Sequence, residues 1–217
     1  MKFFIDSADI SEISKIVPTG LVDGITTNPS LIAKTGKKYN QVLKDICSLI
    51  DGPVSAEVTS LEMESMVEQG KKLADIAKNI VVKLPSTING FSACKILNQQ
   101  KIKVNVTLCF STNQAIFAAK SGATYISPFV GRLDDIGENG MELIKDIKTI
   151  YNNYEIFTTE ILVASIRTAQ HVIQSAIYGA DIVTVPPKVM YTLADHELTK
   201  KGLEMFLKDW KDSGNSI

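Results

Sequence analysis

Residues 80–85 read Ile-Val-Val-Lys-Leu-Pro, and this short apolar run decides how the rest of the chain is interpreted. A strand that is buried on both faces, as in a parallel sheet, has such a continuous Val/Ile/Leu run. An ammonium group at Lys83 is costly there unless it is paired, or becomes neutral through a lowered pKa. A desolvated lysine of this kind forms Schiff bases with carbonyl substrates. The simpler alternative is a strand-end lysine whose head reaches back to water.

Working outward from that run, seven further runs rich in Val, Ile and Thr alternate with stretches of helical periodicity. Alternation of this kind predicts parallel strands with right-handed crossovers, and eight β/α pairs predict a single (β/α)8 TIM barrel over residues 1–217. The alternative is an open doubly wound sheet, but its G-x-G-x-x-G motif does not occur in the sequence. The seven runs are Lys2–Ser7, Gly24–Asn28, Val54–Thr59, Lys103–Leu108, Tyr125–Val130, Glu160–Ser165 and Asp181–Pro186.

Helical periodicity predicts the connecting segments and one extra helix at the C-terminus. The extra helix, at about 198–210, has an apolar stripe formed by Leu203, Phe206, Leu207 and Trp210. We expect it to cover its own barrel; the alternative is docking on a neighbouring subunit, because exposed apolar stripes often mark interfaces. The other predicted helices include Leu31–Ile50, Leu61–Lys78, Thr112–Lys120 and Thr168–Tyr178.

Composition and charge exclude several classes of function. The net charge of −1 gives no electrostatic reason to expect nucleic acid or an anionic membrane as a partner. An acid at position 6 comes too early for a signal peptide, and no apolar stretch reaches membrane-spanning length, so we expect a cytoplasmic protein. Three scattered cysteines without C-x-x-C spacing, and two isolated histidines, predict reduced thiols and no metal site.

Polar side chains gather at the predicted carboxyl ends of seven strands, where barrels of this kind hold their active sites. Residues two apart on a strand share a face, and aligned polar groups on buried strands indicate one shared interior site. Each residue taken alone could instead be a cap or a turn residue. The candidates are Asp6, Thr26, Thr27, Asn28, Ser55, Glu57, Thr59, Lys83, Asn105, Thr107, Ser127, Phe129, Arg132, Ser165 and Arg167.

Physical reasoning assigns some of these candidates a role. Asp6 and Glu57 would be paired carboxylates that divide proton transfer, one ionised and one with a raised pKa. Arg132 and Arg167, with the Ser165 hydroxyl near a helix N-terminus, would bind a phosphate. Loops after strands seven and eight often bind phosphate in this fold, which supports Ser165 and Arg167. The alternative for both arginines is a solvated surface pair.

Five segments carry a resemblance to the transaldolases, and more closely to the short-chain transaldolase/fructose-6-phosphate aldolase branch. The resemblance runs essentially end to end. It implies class I aldolase chemistry on sugar phosphates, in the pentose phosphate pathway, without a cofactor or metal. It also implies a homo-oligomer, with a pentamer or decamer as candidates. The segments are Phe4–Ala8, Gly24–Ser30, Val82–Pro85, Asn105–Thr107 and Ser127–Arg132.

The resemblance implies specific roles around Lys83, which would form an imine with the C2 carbonyl of a ketose phosphate. Asp6 would take the C4 hydroxyl proton as the C3–C4 bond breaks, while Glu57 would act through a water held with Thr107. Substrate binding would fall to Thr27, Asn28, Asn105, Ser127, Phe129, Arg132, Ser165 and Arg167, the last three holding phosphate.

Two positions distinguish the activities of this branch. Members that release free dihydroxyacetone typically carry glutamine at the position of Glu57 and tyrosine at that of Phe129. A phenol can donate and accept a proton, whereas a phenyl ring cannot. The sequence therefore favours a transaldolase that transfers the three-carbon unit to an aldose phosphate. The alternatives are fructose-6-phosphate aldolase, an aldolase of the deoxyribose-phosphate type, and an inactive sugar-phosphate-binding barrel.

Overall fold

Eight parallel strands close into a barrel in the computed structural model, which describes residues 1–216. Each strand pairs with the next along the chain, and β8 pairs with β1 to complete the circle. The predicted barrel is therefore confirmed. The strands are β1 Lys2–Asp6, β2 Gly24–Thr26, β3 Val54–Glu57, β4 Ile80–Pro85, β5 Val104–Cys109, β6 Tyr125–Pro128, β7 Glu160–Val163 and β8 Ile182–Val185.

Helices follow every strand and form the outer ring. Most begin with a side-chain cap; Thr87, Ser111 and Thr168, for example, each accept a backbone N–H of the first turn. The helices are α1 Ile10–Ile16, α2 Pro29–Lys34, α3 Tyr39–Leu49, α4 Met63–Ala74, α5 Ile88–Gln99, α6 Thr112–Ser121, α7 Val130–Asp134, α8 Gly140–Asn152, α9 Ala169–Ile177, α10 Pro187–Leu193 and α11 Glu197–Ser213.

Several element boundaries differ from the prediction. Leu31–Ile50 is two helices, α2 and α3, because the chain turns at Gly36 with a φ of +67° that favours glycine. Most of the strands end earlier than predicted, so Asn28, Thr59 and Ser165 lie in the turns that follow β2, β3 and β7. The pattern of strand residues continues into these turns, which is why the sequence alone places the ends too late.

A plug of five side chains closes the amino-terminal half of the barrel interior. Phe4 and Tyr125 meet edge to face at 6.1 Å within this plug. Gly24, opposite Phe4 in the ladder, has to be glycine, because a Cβ atom there would lie 2.7 Å from the Phe4 ring. The plug consists of Phe4, Val81, Tyr125, Leu162 and Ile182.

The next inward-facing position on each plug strand lies two residues further on. Those positions form the floor of a cavity at the carboxyl end of the barrel. They are Asp6, Lys83, Ser127, Ala164 and Thr184. The alternation of strand side chains thus separates an apolar layer in the amino-terminal half of the barrel from a polar layer at its carboxyl end.

The C-terminal helix does not cover the barrel. None of the residues of α11 is buried, and Leu203, Phe206, Leu207 and Trp210 are between 44% and 68% exposed. The expectation that this stripe packs on its own barrel is wrong for the single chain. Within residues 1–216, no helix is long and apolar enough to cross a membrane.

Candidate active site

Lys83 lies at the centre of the candidate site, and only 6% of its side chain is exposed. Its Nζ atom is 3.1 Å from Glu57 Oε2 and donates a hydrogen bond of 2.9 Å to the carbonyl oxygen of Thr27. The ladder between β3 and β4 places Glu57 directly opposite Lys83. The buried ammonium group is thus paired, as a lysine in a barrel interior has to be.

Asp6 ends β1 on the same cavity floor. Its Oδ1 atom accepts a hydrogen bond of 2.8 Å from Thr26 Oγ1. Burial raises the pKa of the Asp6 carboxyl, the Lys83 ammonium and the Thr26 hydroxyl oppose that rise, and the charge of Glu57 adds to it. A carboxylate whose pKa is raised by burial, beside a cation, is suited to accept and return a proton.

Thr107 has a buried hydroxyl without a hydrogen-bond partner. Among the buried side-chain polar atoms of the described residues, Thr107 Oγ1 is the one without a hydrogen-bond partner. It faces the cavity beside a register shift between Val106 and Cys109 on β5, where Leu108 has a φ of +56°. A buried hydroxyl without a partner needs a ligand or a water, so this side of the cavity is a polar binding position.

Three buried polar side chains form a chain across the barrel. Ser127 Oγ donates to Asn105 Oδ1 at 2.7 Å, and Asn105 Nδ2 donates to Ser55 Oγ at 3.2 Å. These bonds fix the orientation of the amide and use one of its two N–H groups. Asn105 is fully buried and lies behind the residues that line the cavity.

Asn28 caps a helix and also lines the cavity. Its Oδ1 atom caps α2 by accepting the backbone N–H of Leu31 at 2.9 Å, so the cap alternative considered for this residue is correct. The cap leaves the Nδ2 group for the cavity that Asn28 lines.

Two arginines form the outer rim of the cavity. Arg132 lies over the ring of Phe129 at 5.7 Å, and Arg167 is ion-paired to Asp135 at 2.7 Å. Ser165, which lines the same cavity, has a φ of +59°, a left-handed conformation that is strained for a serine. Strain of this kind is typical of binding sites.

The cavity as a whole has a volume of about 210 Å³. Two cationic side chains at its rim and a paired lysine at its floor make it suited to a small, polar, anionic molecule that has a carbonyl group. Residues 1–216 contain no cluster of three His, Cys, Asp or Glu residues that could hold a metal ion. The lining residues are Asp6, Thr26, Asn28, Lys83, Thr107, Ser127, Phe129, Arg132, Ala164, Ser165, Arg167 and Thr184.

Comparison with known proteins places the chain in a family. The family model described as "Transaldolase/Fructose-6-phosphate aldolase" matches residues 3–217. The chain belongs to the transaldolase/fructose-6-phosphate aldolase family. It is 59% identical to a probable transaldolase of Parvibaculum lavamentivorans and 57% identical to one of Erythrobacter litoralis, each over the full length of both chains. The resemblance inferred from the sequence, and the prediction of a transaldolase-like aldolase, are confirmed.

A solved structure supports the fold independently. A thiamine phosphate pyrophosphorylase from Pyrococcus furiosus superposes with a TM-score of 0.60 at 12% sequence identity, over 88% of this chain and 93% of that one. At this level of identity, the likeness concerns the barrel alone.

Within this transaldolase-family barrel, five candidate residues do not line the cavity: Thr27, Ser55, Glu57, Thr59 and Asn105. Ser55 and Asn105 are fully buried, and Glu57 and Thr59 border a separate pocket beside Tyr39. The clearest departure from the expectation is Thr27. Thr27 is buried, and its hydroxyl donates to the carbonyl oxygen of Ser55 at 2.8 Å, so it does not line the cavity. Strand alternation accounts for this, because Thr26 and Asn28 share the inward face of β2 and Thr27 lies between them. Thr27 contributes its backbone carbonyl to Lys83 instead of its side chain.

Sequence reasoning missed other residues of the site. Thr184 lines the cavity from β8, a strand for which no site residue is predicted from the sequence. Tyr39 on α3 donates its hydroxyl to the carbonyl oxygen of Glu57 at 2.7 Å, and Phe110 packs on Phe129 at 5.8 Å. Alternation from Ile182 could have found Thr184. Tyr39 and Phe110 have no signal in the local pattern, because their contacts depend on how the helices and loops pack.

Proposed function

We propose that this protein is a transaldolase, which transfers a dihydroxyacetone unit between sugar phosphates through an imine on Lys83. The observation that carries the proposal is the buried Lys83, paired with Glu57 at 3.1 Å and facing a cavity that also contains Asp6. Membership of the transaldolase/fructose-6-phosphate aldolase family supports it.

The first half-reaction forms and cleaves the imine. Lys83 loses a proton, with Glu57 as the acceptor at hand, and its Nζ attacks the C2 carbonyl of a ketose phosphate. The carbinolamine then loses water, assisted by Glu57 through a water held at the unpaired Thr107 hydroxyl. As the C3–C4 bond breaks, Asp6 takes the proton of the C4 hydroxyl, and the electron pair moves into the protonated imine to give an enamine.

The second half-reaction reverses these steps with a new aldehyde. The enamine carbon C3 attacks the carbonyl carbon of the acceptor, and Asp6 returns its proton to the new C4 hydroxyl. Hydrolysis of the imine then frees the product ketose and Lys83. Asn28, with the Nδ2 group that its cap leaves for the cavity, would hold an oxygen of the three-carbon unit, and Asn105 would orient the Ser127 hydroxyl.

Arg132 and Arg167 at the rim are suited to the phosphate of the donor or the acceptor. We therefore propose sedoheptulose 7-phosphate or fructose 6-phosphate as donors, and glyceraldehyde 3-phosphate or erythrose 4-phosphate as acceptors. These are the sugar phosphates of the pentose phosphate pathway, and a cytoplasmic location belongs to the same proposal. Phe129, which has no hydroxyl to help release dihydroxyacetone, favours transfer over the aldolase activity.

The test is the release of glyceraldehyde 3-phosphate from fructose 6-phosphate, with and without erythrose 4-phosphate. We expect release to depend on the acceptor and to fall by roughly a thousandfold or more in Lys83→Ala. Lys95→Ala, which removes an exposed lysine of α5, is the matched control and should behave like the wild type. Comparable release without acceptor would show an aldolase instead.

Borohydride trapping examines the imine itself. Wild-type protein treated with fructose 6-phosphate and borohydride should gain the mass of the reduced adduct on Lys83, and Lys83→Ala should not. A barrel that only binds sugar phosphates would gain no adduct in either form.

We further propose that α11 packs on a second copy of the chain, so that the protein is a homo-oligomer. Helices in proteins owe most of their stability to the packing of an apolar face, and the apolar stripe of α11 is exposed in the single chain. A second copy supplies the burial that its own barrel does not.

A further inference from the structure

Two threonine hydroxyls stand in line behind Asp6. Thr26 Oγ1 donates to Asp6 Oδ1 at 2.8 Å and lies 2.7 Å from Thr184 Oγ1. Both threonines are buried, each with 2% of its surface exposed. Among the described residues, the Thr184 hydroxyl has Thr26 as its one hydrogen-bond partner.

The direction of these bonds follows from counting protons. A threonine hydroxyl has one proton to donate and two lone pairs to accept with. When Asp6 is ionised, the single hydroxyl proton of Thr26 is used in the hydrogen bond to the Asp6 carboxylate. The short contact between Thr26 and Thr184 can then be a hydrogen bond only if Thr184 is the donor. Each bond in such a chain polarises and strengthens the next.

We propose that Thr184 is a positioning residue for Asp6: its hydroxyl donates to Thr26 and so keeps the Thr26 proton directed at the Asp6 carboxylate. The inference rests on the proposed function, in which Asp6 has to be ionised to take the C4 hydroxyl proton. Thr184 itself need not touch the substrate.

The same chain can accommodate the proton once it arrives. A protonated Asp6 can donate to Thr26, Thr26 can then donate to Thr184, and the Thr184 proton turns toward the cavity that Thr184 lines. This change requires only that the Thr26 and Thr184 hydroxyls rotate. The one covalent bond that changes is that of the proton transferred to Asp6. Asp6 thus keeps a hydrogen-bond partner in both of its protonation states.

Other charged groups also act on Asp6. Lys83 on β4 lowers its pKa, and Glu57 on β3 raises it. Arg132 and Arg167 face the same cavity from its rim. A substitution at Thr184 leaves all four charges in place, so a change in Asp6 would come from the lost hydroxyl and not from a lost charge.

The experiment measures the pKa of Asp6 directly in the resting protein, by carbon NMR of protein labelled in its aspartate carboxyl groups. Asp6→Asn assigns the signal. We expect Thr184→Val to raise the pKa by roughly 0.3 to 0.5 units, and Thr26→Val to raise it by about one unit or more. Thr184→Ser keeps a hydroxyl and should leave the pKa unchanged. Thr184→Ala, which also lacks the hydroxyl, replaces the valine variant if that variant does not fold.

The double variant Thr26→Val/Thr184→Val separates a relay from an independent effect. If Thr184 acts through Thr26, losing Thr184 changes nothing further once Thr26 is gone. The proposal would be overturned if Thr184→Val raised the Asp6 pKa equally in the wild type and in Thr26→Val, or if it did not raise that pKa at all.

A second readout keeps this inference distinct from the proposed function. In the transaldolase reaction, the acidic limb of the pH profile of kcat/KM should move upward by the same amount as the Asp6 pKa. A shift in the NMR titration with an unmoved acidic limb would leave the hydroxyl relay standing and refute the proton-transfer role of Asp6. A change in overall rate alone, with both pH readouts unmoved, would assign Thr184 to packing.

Discussion

At the scale of single residues, the site combines charges that oppose one another. Lys83 is buried with its charge paired to Glu57, so in the proposed reaction the proton that Lys83 loses before attack has an acceptor 3.1 Å away. Asp6 shares the same floor, and burial raises its pKa. In the proposed reaction, the two carboxylates divide the proton transfers by position: Glu57 lies beside Lys83, and Asp6 lies beside the Thr26 and Thr184 hydroxyls. Residue types alone predict such a division, and the distances are compatible with it.

The raised pKa of Asp6 predicts a conflict between stability and activity. Because folding favours the protonated carboxyl, its contribution to stability falls as the pH rises from the pKa of the unfolded chain through that of the folded protein. We expect Asp6→Asn to abolish transfer and to raise the free energy of unfolding at neutral pH, by about 1 kcal/mol. Denaturant unfolding from pH 4 to 8 measures this difference.

The difference in stability between Asp6→Asn and the wild type should be smallest at low pH, where the wild-type carboxyl is protonated, and should grow toward neutrality. Asp9→Asn is the control, and it should lower the free energy of unfolding toward neutral pH instead of raising it. The reason is that hydrogen bonds from Ser11 lower the pKa of Asp9, so folding favours its ionised form. A difference that does not vary with pH would contradict burial as the cause of the raised Asp6 pKa.

Phe129 predicts how the reaction is partitioned between transfer and release. Its ring lines the cavity together with Thr107, whose hydroxyl is unpaired. We expect Phe129→Tyr to raise acceptor-free cleavage of fructose 6-phosphate roughly ten- to a hundredfold, because a phenol can pass a proton to the enamine carbon through water. The measurement is steady-state release of glyceraldehyde 3-phosphate without an acceptor.

Phe110→Tyr is the matched control for that variant. Phe110 packs on Phe129 at 5.8 Å but does not line the cavity, so the same added hydroxyl should leave acceptor-free cleavage unchanged. An unchanged rate in a folded Phe129→Tyr variant would remove the discriminating role assigned to residue 129.

At the scale of elements, strand alternation and helical periodicity predicted the features that depend on residues close together in the sequence. The eight strands, their parallel order and most inward-facing site residues followed from period two, as Lys83 on β4 and Thr107 on β5 illustrate. The ends of the strands and helices could not be predicted from these patterns, because a turn such as that at Gly36 depends on the backbone angle of a single residue. Contacts between elements, such as the bond from Tyr39 on α3 to Glu57, have no sequence pattern and require the packed barrel.

At the scale of the whole molecule, the barrel and α11 differ in whether their apolar surface is buried. The barrel buries its own apolar surface, whereas the stripe of α11 is left exposed by the single chain. The sequence predicted the helix and its stripe but could not choose what the stripe contacts, because amphipathicity is the same for either partner. The structure of the single chain excludes packing of the stripe on its own barrel, and the proposed docking of α11 on a second copy is the alternative that the exposed stripe supports.

This proposal predicts that one charge on the stripe dissociates the assembly. Phe206→Glu places a carboxylate in the apolar surface that a second copy would bury, and we expect multi-angle light scattering to show a mass near the 23.7 kDa of one chain. Lys201→Glu introduces the same side chain on the other side of α11 and should leave the wild-type mass unchanged. Helix content by circular dichroism should fall in Phe206→Glu by about the length of α11, because the helix loses its support. A wild-type protein that is already monomeric, or an assembly that withstands Phe206→Glu, would refute the docking of α11 on a second copy.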